Sequence, residues 1–200
     1  MKSFGAHVYR FKIYGYALAA VLALSATSIS GKGLEGKIGD VISDGQWRLQ
    51  VMSVGAVESY AMKTDAEPYE YKDLTKFDLT KRIFTSKPGS KLVVFQCRVT
   101  NAQKSPKRLW VAVSDNANVR TALTDVGGIS HTPIGYDFEG GPVQTKPLQP
   151  GETISFAVIF TVPQDVQLKG LLFTLAANGQ REQSKDARIS LADTAGQVKE

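Results

Sequence analysis

The sequence predicts an all-β fold of two packed antiparallel sheets, about seven strands in all. Three observations predict it. In Lys91–Asn101, Val93, Phe95, Cys97 and Val99 fall on one side, and Leu92, Val94, Gln96 and Arg98 on the other. In Thr153–Pro163, Ile154, Phe156, Val158, Phe160 and Val162 alternate with Thr153, Ser155, Ala157 and Thr161. A two-residue period of this kind is the signature of a strand with one buried face. The remaining apolar runs are short and separated by polar turns, with no long stretch of helical period, and two stacked sheets are the simplest way to bury them.

The organisation of the 200 residues follows from composition and charge. A hydrophobic share of 42% suits a globular chain and is too high for a disordered one. Residues 1–30 read as a signal peptide. Lys2, Arg10 and Lys12 precede an uncharged run from Ile13 to Ser30, and the small residues Ser25, Ala26, Ser28 and Ser30 offer cleavage after Ser28 or Ser30. The strongly apolar part is shorter than the ~20 residues that span a bilayer, so cleavage is favoured over a retained anchor, and a membrane contact is expected only if the segment stays. Without those three cations the formal charge falls from +5 to +2, which gives no reason to expect nucleic acid as a partner. Secretion, or residence in the periplasm or cell envelope, is the expected location.

The elements then run in order. Residues 31–45 are glycine-rich and read as a flexible spacer. A sandwich domain over 46–192 begins with a strand at Gln46–Val54, where Trp47, Leu49 and Val51 share a side. Residues 57–90 break the rhythm. They are acidic first and basic later, with Asp-Leu-Thr-Lys at 73–76 and again at 78–81. This reads as a long connection with one helical turn near Leu74–Leu79, a solvated insertion over a sheet edge. After the central strand come Leu109–Val113 and Val119–Thr124, joined by the polar loop 114–118. Gly127-Gly128 and Gly140-Gly141 bracket a glycine-rich loop region. Pro150-Gly151 turns the chain into the 153–163 strand. Leu171, Phe173 and Leu175 form a further inward set, Ala187–Leu191 a final edge strand, and 193–200 a polar tail. Cys97 is the single cysteine. It permits no intrachain disulfide and reads as a buried small hydrophobe.

Several of these pieces resemble a known family. Val93-Val-Phe-Gln-Cys-Arg-Val-Thr-Asn101 resembles its strand ending in Asn, and Ala122-Leu-Thr-Asp-Val-Gly-Gly128 its Leu-x-Asp-x-x-Gly hairpin. Leu148-Gln-Pro-Gly-Glu152 and Phe160-Thr-Val-Pro163 resemble its Pro-Gly-Glu turn and its strand closing in a hydrophobic-Pro pair. The family is the immunoglobulin-like group of small exported bacterial proteins that includes the mycobacterial immunoprotective extracellular antigen. The likeness spans roughly 46–177. It implies an immunoglobulin-like antiparallel β-sandwich outside the cytoplasm, and it brings no catalytic residues with it.

The search for chemistry returns little. Beyond residue 30 there is one histidine, His131, and no Gly-x-Ser-x-Gly elbow. Ser130 is its neighbour, and neighbours on an extended chain point apart. Phosphate-binding glycine motifs are absent. The reading is therefore not an enzyme, with no cofactor. Trp110, His131, Tyr136 and Phe138 are the candidate ligand or partner contacts, because aromatic residues on the loops of a sandwich are typical of recognition surfaces. An alternative is a carrier of a metal or small ligand, using Asp125, His131, Asp137 and Glu139. The Asp-x-Asp-x-Asp-Gly order of a calcium loop is lacking. The favoured function is a non-enzymatic exported module that binds an unknown protein or small ligand through its loops.

Overall fold

The computed structural model describes residues 34–64, 75–111, 121–138, 146–177 and 185–192, without the side chains of 110–111, 175–177 and 185. The chain divides into two compact units, Met1–Ser30 and Gly31–Glu200, and all described residues belong to the second. The signal segment, the 114–118 loop, Glu139, Gly140-Gly141 and the 193–200 tail lie outside the described residues.

The regular elements are strands: β1 Leu34–Lys37, β2 Val41–Ser43, β3 Trp47–Val57, β4 Ser59–Ala61, β5 Thr75–Asp78, β6 Ile83–Ser86 and β7 Ser90–Asn101, followed by β8 Leu109–Val111, β9 Ala122–Asp125, β10 Ser130–His131, β11 Pro133–Asp137, β12 Thr153–Pro163, β13 Leu168–Ala177 and β14 Lys185–Ser190. They form a β-sandwich. One sheet runs β1-β14-β13-β9-β10, with β8 also paired to β13; the other runs β11-β12-β7-β3-β2. A small third sheet has the order β4-β6-β5.

The core is set by alternation. Val93, Phe95, Cys97 and Val99 of β7 lie opposite Phe160, Val158, Phe156 and Ile154 of β12. All but the half-buried Ile154 are at most 3% exposed. They pack against Leu123, Leu171, Phe173, Ala187 and Ile189 of the facing sheet. Burying each large apolar side chain contributes roughly 1.5–3 kcal/mol, so these two strands dominate the interior. Trp47, Leu49 and Val51 join it from β3. A bulge between Val51 and Ser53 then shifts the register by one residue. Ser53, inward by simple alternation, is turned outward with Met52, and Val54 packs against the core in its place, because one extra residue exchanges the two faces of a strand.

The strand count is higher than the sequence suggests, for two reasons. The 31–45 stretch is not simply a spacer: β1 pairs in parallel with β14, and β2 pairs antiparallel with β3. As a consequence β14 is not an edge strand; β1 lies outside it. The 57–90 connection carries β4, β5 and β6 in place of the expected helical turn. Thr75–Asp78 is extended and pairs with β6, with Phe77 opposite Phe84. The third sheet covers the outer face of the β7–β12 sheet. Leu92 and Val94 of β7, Ile134 of β11, and Ala157 and Ile159 of β12 make a second apolar cluster there with Phe84. This explains why the apolar character of β7 extends to both of its sides between Leu92 and Phe95.

Candidate functional site

The structure divides the sequence-predicted residues among three environments. The first is the β9–β10 hairpin. The main-chain N–H of Asp125 donates to Ile129 (3.1 Å), and that of Gly128 to Asp125 (3.1 Å). Gly128 has φ +84°, a left-handed conformation that glycine adopts without steric cost. This is the three-residue hairpin loop in which a turn is followed by one left-handed residue. Asp125 stiffens it. Its Oδ1 accepts the Ile129 N–H (2.9 Å), and its Oδ2 lies 3.1 Å from His131 Nε2. The Ile129 N–H holds the Asp125 carboxyl below the usual carboxylate range; burial opposes that, and His131 adds to it. His131 itself is half-buried. Above this base stand Val126 and Ile129, 63% and 62% exposed. Sequence reasoning passed over both, although two branched aliphatics flanking Gly-Gly at a hairpin tip are a readable signal.

The second environment is the core. Tyr136 and Phe138 are fully buried, which corrects their assignment as loop contacts. Pro133–Asp137 is a strand, and every residue of it is buried. The two rings meet edge to face at 6.5 Å, and Phe138 lies 5.1 Å from Phe156. Trp110 falls in β8 opposite Ala176; its side chain lies outside the described residues.

The third environment is Asp137, at the end of β11. Asp137 is 4% exposed, and its carboxylate accepts four bonds from Tyr60 of β4 and the residues that follow β4. The donors are Tyr60 Oη (2.7 Å), Lys63 N (2.8 Å), Thr64 N (2.9 Å) and Thr64 Oγ1 (2.6 Å). Burial, with the adjacent Asp137 carboxylate, pushes the Tyr60 hydroxyl well above its usual range. Asp137 is thus committed to N–H and O–H donors. Among the described residues no three His, Cys, Asp or Glu side chains gather as a metal site would require. The proposed set of Asp125, His131, Asp137 and Glu139 therefore reduces to the Asp125–His131 pair, with Glu139 outside the described residues. Cys97 is 1% exposed, and burial raises its thiol pKa far above the ordinary value.

Two solved structures share a likeness with this chain. One is an uncharacterized β-sandwich protein from Clostridium difficile 630, 12% identical, with 82% of this chain and 98% of that one covered and a TM-score of 0.45. The other is a conserved hypothetical protein from Bacillus anthracis, 10% identical, with 78% and 95% covered and a TM-score of 0.42. No protein-family model matches the sequence, and no curated protein matches it significantly. Likenesses this distant say nothing about activity.

Proposed function

We propose that the chain is an exported, non-enzymatic module of the immunoglobulin-like family described above, which binds a protein or other ligand through its loops. The β9–β10 tip leads that contact. The observation that carries this reading is the pair of exposed aliphatic side chains, Val126 and Ile129, on a turn held rigid by Asp125. Scattered exposed hydrophobics are ordinary; two together on a stiff hairpin, whose Val126 N–H is also held by Gln167 O, form a preorganised apolar contact that loses little conformational freedom on binding. The basic, apolar and small-residue sequence of 1–30 supports export. Family membership is supported by what its motif residues do here. Asn101 and Asp125 both tie turns to strands through buried side-chain hydrogen bonds, the role expected of residues that define a fold.

The test is capture of partners from the envelope fraction with the native chain and with Val126→Ser/Ile129→Ser. The substitutions leave the core untouched. Recovery of specific partners should fall by about tenfold or more, as for apolar anchors in other interfaces; equal recovery rejects the tip as the binding surface. Deleting 131–142 is no substitute, since it removes Ile134, Tyr136 and Phe138 from the interior. Export is tested separately by the mass of the mature protein, which should begin after Ser28 or Ser30. The proximity of Asp125 and His131 keeps a carrier function as a second reading. Native mass spectrometry with Ca²⁺, Zn²⁺ and Cu²⁺ decides it, and no added mass dismisses it.

A further inference from the structure

The third sheet is joined to the sandwich in an uneven way. Its two ends meet: Ser86 N and Ser86 Oγ both donate to Glu58 O, at 2.8 and 3.1 Å. The chain therefore leaves the body after β3 and returns to it before β7 at nearly one point. Within the insertion, β6 pairs with both β4 and β5. Met62 N donates to Arg82 O (2.9 Å), and Arg82 Nη2 donates to Thr64 O (3.0 Å). These bonds hold the described parts of the insertion to one another. Toward the body, Asp137 takes four bonds from Tyr60, Lys63 and Thr64, and Gln96 reaches the Tyr60 hydroxyl. Phe84 is the apolar plug. A Cβ on Gly135 would lie 2.9 Å from Phe84 Cζ, so the ring lies directly over the bare backbone of β11. The strands of the third sheet are only three or four residues long, and the sheet buries its apolar face by docking on the sandwich.

We infer that Ser59–Thr64 and Thr75–Ser86 act as a hinged flap, pivoting where Ser86 meets Glu58 and latched by Asp137, which opens as a unit while the sandwich stays folded. The hinge lies at the Ser86 end of the insertion, and the latch holds the Tyr60–Thr64 end. Opening separates Phe84 from the body and uncovers an apolar patch on the outer face of the β7–β12 sheet, made by Leu92, Val94, Ile134, Ala157 and Ile159. The patch is distinct from the Val126–Ile129 tip, and this inference does not depend on the tip's binding anything. Segments that open below the energy of global unfolding are those held by few buried apolar side chains and a local set of hydrogen bonds.

Native-state hydrogen exchange on the full chain tests it. The amides of Lys63 and Thr64, which donate to Asp137 across the opening, should exchange at least tenfold faster than those at the centres of β7 and β12. Asp137→Asn, which removes charge-assisted acceptors, should accelerate the flap amides by a further tenfold or so and leave β7 and β12 nearly unchanged. Tyr60→Phe removes one of the four donors and should give a smaller acceleration of the same amides. An apolar fluorescent dye should bind folded Asp137→Asn more than the native chain. Exchange of flap and sandwich amides at one rate in the native protein overturns the inference, whether or not Asp137→Asn folds. Acceleration spread evenly over Lys63, Thr64, β7 and β12 in Tyr60→Phe overturns it as well.

Discussion

Asp125 and Asp137 are both buried carboxylates, and each is matched to a different kind of partner. Asp125 is bound within its own hairpin, where the Ile129 N–H keeps its carboxyl below the usual range. A group whose folded pKa lies below its unfolded value contributes stability that is complete above the unfolded value, near 3.9. That contribution is lost as pH falls through the folded value. Stability should therefore decline on acidification below about pH 4, and Asp125→Asn should flatten that acid limb; urea unfolding at a series of pH values measures both. Gly135 makes a second claim at this scale. The Cβ of Gly135→Ala would meet Phe84 Cζ at 2.9 Å and Cε2 at 3.3 Å. With Phe84 fully buried, we expect a loss of about 1–3 kcal/mol in urea unfolding. Tyr136 and Phe138 show what the sequence hides. In β11 every residue is buried, so no alternation marks it as a strand, and the glycines around it suggest a loop.

Among elements, the pair of turns where the end of β7 meets the start of β12 is the most legible. Asn101 Nδ2 donates to Leu148 O (2.9 Å) and Ser105 O (3.0 Å), and Oδ1 accepts Gln103 N (3.0 Å). Its main chain bonds to Glu152 O and receives Gly151 N. One side chain thus fixes two turns, and Asn ending a strand before Pro-Gly-Glu is readable from sequence alone. Asn101→Ala removes all three side-chain bonds, leaving the Leu148 carbonyl to the Lys107 N–H alone, and should cost about 1–3 kcal/mol, seen as a lower urea midpoint at unchanged slope. The third sheet is the least legible. Its strands are three or four residues long, too short for a clear period. The second Asp-Leu-Thr-Lys copy proves to be turn chemistry: Asp78 Oδ1 accepts Lys81 N (3.0 Å), and Arg82 follows at φ +56°. Thr75 and Lys76 of the first copy lie in β5, whereas Thr80 and Lys81 of the second lie in the turn, so these described residues do not repeat one structure.

For the whole molecule, β7 and β12 form the centre of one sheet, β3, as long as β12, extends it, and β13 and β14 face it across the core. The alternation of β7 and β12 placed Val93, Phe95, Cys97 and Val99 in the interior correctly, because both faces of the sandwich demand one dry layer between them. β1 and β2 were hidden because glycine-rich segments pair through backbone hydrogen bonds that leave no side-chain pattern. The tip was readable in part: Val126-Gly-Gly-Ile129 marks a hairpin turn flanked by two aliphatics, while the extent of their exposure is a property of the assembled fold. The central claim is the single dry interior, and Cys97 lies within it, 1% exposed and opposite Phe156. The most direct measurement is the reaction of its thiol with a colorimetric disulfide reagent at neutral pH. The thiol should remain unreacted while the protein is native and titrate as one equivalent once urea unfolds it. Prompt stoichiometric reaction in native buffer would contradict the account.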